Sequence, residues 1–240
     1  MAVRERLEGV EALEGVGSAF AATRDGIDTM LRDRGLRRTS PELTAESLLV
    51  GAHASAALAG STSSLDEVRE GAADDIARAS LRVSVELLGL VPVWSRTPLQ
   101  ALARLHAVAA SGVVPDDEIG RPRDAAAAAC LRDLVLLVGD RRPALVTAAV
   151  VHAELVTVAP FGSADGLVAR AAERLVLAAS GVDAKSLVVP EAGHLALRPA
   201  YESNLRGYAG GGRPGLQAWL LYCAEAYAAG AEASPVRHLS

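Results

Sequence analysis

Residues 151–170 carry the most information about the fold, and they read Val151-His-Ala-Glu-Leu-Val-Thr-Val-Ala-Pro-Phe-Gly-Ser-Ala-Asp-Gly-Leu-Val-Ala-Arg170. This pattern predicts a buried helix, a compact turn over residues 160–166, and a second helix. Glycines allow dihedral angles that other residues avoid. The first N–H groups of the second helix have no partner within it, so the turn can bind a phosphate group, and Arg170 can reach the same anion. The alternative is an ordinary interhelical turn in which Asp165 is the N-cap.

Outward from this stretch, glycine, proline and polar clusters divide the chain into pieces of helix length. No segment alternates polar and apolar residues between turn signals, so the predicted fold class is all-α. Ser63 is the predicted N-cap of one helix, and Thr97 caps another that begins with Pro98. The predicted helices cover residues 3–34 with a break near Gly15, 44–59, 63–90 with room for a break, 97–111, 125–138, 143–159, 166–180, 199–208 and 215–229.

Composition limits the function. The net charge is −5 and the basic residues are scattered, which excludes the basic surface of a nucleic-acid-binding protein. No Cys/His pair has the spacing of a zinc site, so no metal site is predicted. The N-terminus lacks the apolar segment of a signal peptide, and the longest apolar stretch is interrupted by His152 and Glu154. We therefore expect a cytoplasmic protein that does not bind membranes.

Residues 159–170 resemble the signature of the Fic/Fido family, which runs histidine, proline, phenylalanine, any residue, an acid, glycine, asparagine, glycine, arginine, two residues, arginine. Pro160, Phe161, Gly166 and Arg170 match it with unbroken spacing, and Asp165 is a near-isostere of the asparagine. The resemblance extends over about residues 45–230 and implies the Fic/Fido helical fold. It also implies a phosphate or nucleotide site, with ATP or another nucleotide as ligand, formed by Gly162, Ser163, Ala164, Asp165, Gly166 and Arg170.

The departures from the signature concern its chemistry. Ala159 occupies the position of the histidine that is the family's general base, Ser163 that of the magnesium-binding acid, and Leu167 that of a phosphate-binding arginine. Loss of a general base commonly costs about two to four powers of ten in rate. His152 lies two helical turns from Ala159, roughly 10 Å away, and is predicted to be structural. The resemblance thus implies an inactive relative of the Fic protein adenylyltransferases.

Two further segments are similar to parts of this family. The inhibitory helix of many Fic proteins carries serine or threonine, three residues, glutamate and then glycine or asparagine. Here Ser55 and Gly60 are kept, but Ala59 replaces the glutamate. Residues 120–123, Gly-Arg-Pro-Arg, are similar to the segment before the family's β-hairpin flap. The alanine-rich residues 124–130 that follow favour helix, so no flap is expected.

We divide the chain into an N-terminal helical extension (1–43), a Fido-like helical domain (44–232) and a tail (233–240). Lys185 is the only lysine, which indicates a GC-rich bacterial genome of actinobacterial type. The first hypothesis is a degenerate Fic/Fido protein without AMP-transferase activity, acting as a phosphate- or nucleotide-binding module or through a protein partner. Residues 18–30 would pack on the domain or form a homodimer. The alternatives are a non-canonical transferase that contacts a nucleotide-linked group through Ser163, Asp165 and Arg170, and residual AMP transfer that uses a base of the substrate.

Overall fold

The structure is a computed structural model that describes residues 7–32, 41–138 and 142–238. Within these ranges the chain forms eleven α-helices, two short 3-10 turns at Val10–Ala12 and Pro235–His238, and no β-strand, which confirms the all-α prediction. The helices are α1 (Val16–Met30), α2 (Pro41–Leu58), α3 (Leu65–Glu70), α4 (Asp75–Trp94), α5 (Pro98–Ala110), α6 (Ala125–Val135), α7 (Ala144–Val158), α8 (Asp165–Ala179), α9 (Pro190–Ala196), α10 (Arg198–Ala209) and α11 (Gly212–Glu232).

The predicted N-cap Ser63 was wrong by one residue. Ser64 caps α3, because its hydroxyl accepts from the Glu67 N–H at 3.2 Å while the Glu67 carboxylate accepts from the Ser64 N–H at 2.7 Å. This reciprocal pair requires an acid three residues after the cap, and Ser64 meets that condition. The Ser63 hydroxyl instead accepts from the N–H of Asp74 at 2.9 Å, and so helps to position the next helix.

Residues 63–90 form two helices. Gly71 ends α3 in the left-handed region, at φ 76°. Asp74 then caps α4 by accepting from the Ala77 N–H at 2.8 Å and from the Ser61 hydroxyl at 2.7 Å. These hydrogen bonds favour the carboxylate and lower the pKa of Asp74 to about 2. Thr97 is the N-cap of α5 and Pro98 follows it, as predicted, although the Thr97 hydroxyl makes no cap bond. The short helix α9 was not predicted.

Helices α7 and α8 form the centre of the molecule. In α7 every residue from Leu145 to Leu155 is buried, and so is every residue from Leu167 to Ala178 in α8. Because both helices are buried around their whole circumference, the other helices must surround them. Helix α4 packs on α8, α2 and α5 pack on α4, and α11 packs on α9, α10 and α1.

The N-terminal helix α1 packs on the rest of the chain through α11. Phe20 and Ile27 belong to the same hydrophobic core as α7 and α8, and the Thr23 hydroxyl donates to the Ala224 carbonyl at 3.0 Å. Of the two packing partners expected for this helix, the domain itself is therefore the one observed. None of the described helices is long and apolar enough to cross a membrane.

Candidate functional site

The turn between α7 and α8 holds an unusual backbone shape. Ala159, Gly162 and Ala164 all have positive φ, at 46°, 75° and 52°. A carboxylate oxygen of Asp165 accepts from the N–H of Phe161 at 2.9 Å, which closes the turn. Asp165 is therefore the first residue of α8 and not its N-cap, a position that Ala164 occupies. Burial raises the pKa of Asp165, and the N–H groups of Phe161 and Gly162 oppose that shift.

The segment expected to precede a flap lies directly on this turn. The Arg123 N–H donates to the Pro160 carbonyl at 2.9 Å, and the Arg123 guanidinium donates to the carbonyls of Val158 and Ala159. These carbonyls end α7, where a cation is favourable because the helix dipole is negative. The chain then continues into α6, so its path in this region is helical, as the alanine-rich sequence predicts.

Ser163 is hydrogen-bonded to His106, an arrangement that the sequence did not indicate. His106 Nε2 lies 3.0 Å from the Ser163 hydroxyl, and its ring stacks on Phe161 with centroids 4.4 Å apart. His106 Nδ1 accepts from the Gly120 N–H at 2.9 Å, so the proton of the neutral ring is on Nε2. Burial lowers the pKa of His106, which keeps the ring neutral. This tautomer donates to Ser163 and cannot remove its proton.

A cavity of about 490 Å³ opens beside the turn, between the end of α2, α4, α5, the start of α8 and α10. Most of its wall is apolar, including Leu58, Ile76, Leu167 and Leu205. The sequence-predicted residues that line it are Ala59, Ala164, Asp165, Gly166 and Arg170. Ser163 faces His106 instead, and the α-carbon of Gly162 lies next to the Arg123 side chain. The structure thus brings part of the predicted phosphate site to one cavity.

Arg170 is the cation at the cavity, although its residue is only 3% exposed. Its Nε donates to the Ser55 hydroxyl at 2.8 Å, Nη2 to the Ser55 carbonyl at 2.9 Å, and Nη1 to the Tyr201 hydroxyl at 3.4 Å. A side-chain carbon added at Gly166 would lie 3.3 Å from Nη1, so the guanidinium abuts the first turn of α8. No carboxylate within the described ranges forms an ion pair with Arg170.

The segment that resembles the inhibitory helix contacts Arg170 and the cavity. Ser55 binds Arg170 through its hydroxyl and carbonyl, Ala59 lines the cavity, and Gly60 ends the helix at φ 99°. Because Ala59 has only a methyl group, nothing from α2 neutralises the guanidinium.

A second polar group lies deeper in the core and was missed by sequence reasoning. Glu173 of α8 lies 3.0 Å from His152 Nδ1 and 3.1 Å from His194 Nε2, and all three side chains are 0% exposed. Burial lowers the pKa of His152 to about 4. Burial alone would raise the pKa of Glu173, but the two histidines outweigh it and the pKa is lowered. The available signal was a pair of adjacent charged residues, Glu173 and Arg174, in the apolar middle of this helix.

Arg174 extends this polar interior. Its guanidinium forms an ion pair with Glu191 of α9 at 3.2 Å and hydrogen bonds with Ser47 of α2 and Ser186. A side-chain carbon at Gly51 would overlap Arg174 Nη1, so any larger residue there would displace the guanidinium. We call Arg170, Glu173 and Arg174, with the side chains that contact them, the polar spine of α8.

Comparisons with known proteins place the architecture. No protein-family model matches the chain, and no curated protein does. Among solved structures, the chain is similar to a Fic family protein from Desulfovibrio desulfuricans G20, with 16% identity, a TM-score of 0.69, and 88% of this chain and 73% of that one covered. It is also similar to Fic-1 (residues 134–508) from C. elegans, with 19% identity, a TM-score of 0.70, and coverage of 93% and 72%. The fold and the site thus define this protein as an all-helical domain with a turn and a cavity at its central pair of helices. More particularly, the chain has the Fic/Fido fold.

Proposed function

We propose that this protein is a ligand-binding protein on the Fic/Fido fold that does not transfer AMP. The observation that carries the proposal is the cavity of about 490 Å³ in which Arg170 abuts the start of α8 without a carboxylate partner in the described part of the chain. A buried guanidinium beside an open, mostly apolar volume favours an anionic group at that point.

The groups around the turn are the reason to propose that the protein does not transfer AMP. Ala159 has no proton acceptor, and the imidazole nearest to the turn, that of His106, has both nitrogens engaged. Leu167 lines the cavity where the family's arginine would bind phosphate. A transfer reaction needs both a base and stabilisation of developing charge, and these replacements remove both.

The charges in the cavity narrow the class of ligand. Arg170 and the unpaired N–H groups at the start of α8 favour one anionic group. The carboxylate of Asp165 lines the same cavity, and Ser163 replaces the metal-binding acid, so several phosphates would be poorly compensated. A second carboxylate, that of Asp75, also lines the cavity, and most of the remaining wall suits an apolar body. We therefore propose a ligand with one anionic group, such as a nucleoside monophosphate, in preference to ATP.

Binding is tested by calorimetry and thermal unfolding with inorganic phosphate, AMP and ATP. We expect AMP to raise the unfolding temperature, and the variant Leu58→Trp, which fills the cavity, to remove that effect. Leu136→Trp is the matched control, because Leu136 is 54% exposed and does not line the cavity. An AMP response of equal size in Leu58→Trp and in the unmodified protein would contradict the proposal.

Activity is tested separately with labelled ATP, magnesium and cell lysate. We expect no labelled protein from the natural chain. Ala159→His alone should also remain inactive, because Ser163 and Leu167 still lack the metal ligand and the arginine. Strong labelling by the natural chain would show that the AMP-transfer proposal is wrong, whatever the binding experiment gives.

The transferase alternative receives less support from the contacts. The Ser163 hydroxyl is held by His106, and Asp165 is held by the N–H of Phe161. Both polar groups that would contact a transferred group are thus used to maintain the turn.

A further inference from the structure

We propose that His152, Glu173 and His194 form a site for a divalent transition-metal ion, with Zn²⁺ the best match. One ligand comes from each of three helices, α7, α8 and α9. Their ligand atoms all lie within 4.8 Å of one another and are buried. Two imidazoles and one carboxylate are a ligand set that zinc uses in proteins. The site is separate from the proposed anion site, although Tyr201 contacts both His152 and Arg170.

The two distances to Glu173 agree with ligands that share an ion. Zinc bonds of about 2.0–2.1 Å place tetrahedral ligand atoms about 3.3 Å apart. Here Glu173 Oε2 lies 3.0 Å from His152 Nδ1 and 3.1 Å from His194 Nε2. Despite this closeness, His152 Nδ1 makes no hydrogen bond, which is rare for a buried polar atom. A nitrogen bound to a metal directs its lone pair at the ion, so it does not point at a neighbouring ligand.

A shell of tyrosines holds the three ligands. The Tyr201 hydroxyl lies 2.9 Å from His152 Nε2, and the Tyr222 hydroxyl lies 2.8 Å from His194 Nδ1. The Tyr227 hydroxyl donates to Glu173 Oε1 at 2.7 Å. In metal sites the second nitrogen of each histidine is held in this way, which fixes the ring and directs the first nitrogen to the ion.

The charge of Glu173 gives an independent reason for a cation. Its carboxylate is fully buried, and its partners in the described part of the chain are two histidines and a phenol. A buried carboxylate is costly unless a positive charge compensates it. Arg170 reaches it only through Tyr201 and His152. The positive charge is therefore either a metal ion, as we propose, or a proton shared with a histidine, and the experiment distinguishes them.

The test uses the full chain. The protein is purified from zinc-supplemented cells, and a second sample is unfolded with chelator and refolded with Zn²⁺ or Co²⁺, because the site is closed in the folded chain. We expect one metal ion per chain by mass spectrometry. X-ray absorption at the zinc edge should show two imidazole nitrogens, oxygen and no sulfur. Metal at background level in both samples, or a sulfur ligand, would overturn the proposal in favour of the shared proton.

Variants assign the metal to these residues. Glu173→Gln keeps the shape of the side chain but removes its charge, and we expect it to lose the bound equivalent. Tyr222→Phe removes one outer partner and should weaken zinc binding about 10- to 100-fold. His106→Gln changes a buried histidine outside the cluster and should bind zinc normally. Unchanged zinc affinity in both Glu173→Gln and Tyr222→Phe would refute the assignment. If Glu173→Gln does not fold, Tyr222→Phe and the absorption edge decide.

Discussion

The first turn of α8 and the two turns that follow it differ sharply in chemistry. At the first turn, Leu167 lines a mostly apolar cavity, and Asp165 accepts from the Phe161 N–H. Just before it, the Ser163 hydroxyl is hydrogen-bonded to the His106 side chain. Further along, Glu173 and Arg174 are buried, and their charged groups are held by hydrogen bonds and ion pairs to other helices. Along a single helix, the end next to the turn lines a mostly apolar cavity, whereas the interior carries buried charged groups.

This difference separates the residues that hold the helices together from those at the turn and the cavity. The polar spine ties α2, α7, α9, α10 and α11 to α8, so a change there affects how the helices pack. A change at the turn affects only a short segment and the cavity wall. The Fic/Fido fold can therefore persist while the residues at the turn change.

The largest effect is expected in the polar spine, from Glu173→Ala. It leaves His194 and Tyr227 without their common acceptor in a fully buried site, and it removes the carboxylate beside His152. Breaking such a group typically costs about 3–5 kcal/mol in the free energy of unfolding. Urea denaturation measures this cost. Glu225→Ala, on the exposed face of α11, is the control and should change stability by no more than about 0.5 kcal/mol. If Glu173→Ala lowered the free energy of unfolding by less than the variants at the turn, the contrast between the polar spine and the turn would be wrong.

At the turn, Asp165→Ala should have a smaller effect. It removes the acceptor of the Phe161 N–H and leaves that buried group unpaired, which typically costs about 1–2 kcal/mol. Asp165→Asn keeps the acceptor oxygen and removes the charge of a buried carboxyl group whose pKa is raised. It should therefore change the free energy of unfolding very little. Equal losses for alanine and asparagine, measured by urea denaturation, would show that the hydrogen bond is not what stabilises the turn.

His106 should make the turn sensitive to pH. Burial lowers its folded pKa below the unfolded value of 6.5. Well above pH 6.5 both states are neutral and stability is unaffected. Below pH 6.5, His106 is protonated in the unfolded state but stays neutral in the folded state. Stability therefore falls as the pH falls towards the folded pKa. At pH 6 the loss is at most about 0.8 kcal/mol. His106→Gln should remove this part of the stability profile between pH 7.5 and 6, and an unchanged slope would contradict it.

The smallest effect, and the only stabilising one, is expected from Ala164→Gly. Ala164 has φ 52°, a backbone conformation in which a side chain costs about 1–2 kcal/mol. Glycine removes this cost, but it also raises the conformational entropy of the unfolded chain, which offsets part of the gain. The net gain should be about 0.5 kcal/mol. Ala171→Gly, in the buried interior of α8, is the comparison and should be destabilising. A loss at position 164 would mean that the methyl group packs usefully against the cavity.

The local sequence was sufficient for the class of fold and for the place of the turn. Helix ends follow from nearby residues, such as Ser64 with Glu67 or Gly71, and the spacing of Pro160, Phe161, Gly166 and Arg170 is enough by itself to indicate the Fic/Fido fold. The replacements at Ala159, Ser163 and Leu167 were also visible, because each is a single position in a fixed spacing.

Only the tertiary structure decided which distant residues meet. The pairs His106–Ser163, Ser55–Arg170 and Glu173 with His152 and His194 join separate helices, and their contacts depend on how closely those helices approach. Glu173 and Arg174 are interior charges because α8 is buried on all sides, which the sequence of that helix does not show. The hydrophobic periodicity of one helix shows which of its faces are apolar. It does not show which side chains of the neighbouring helices contact those faces.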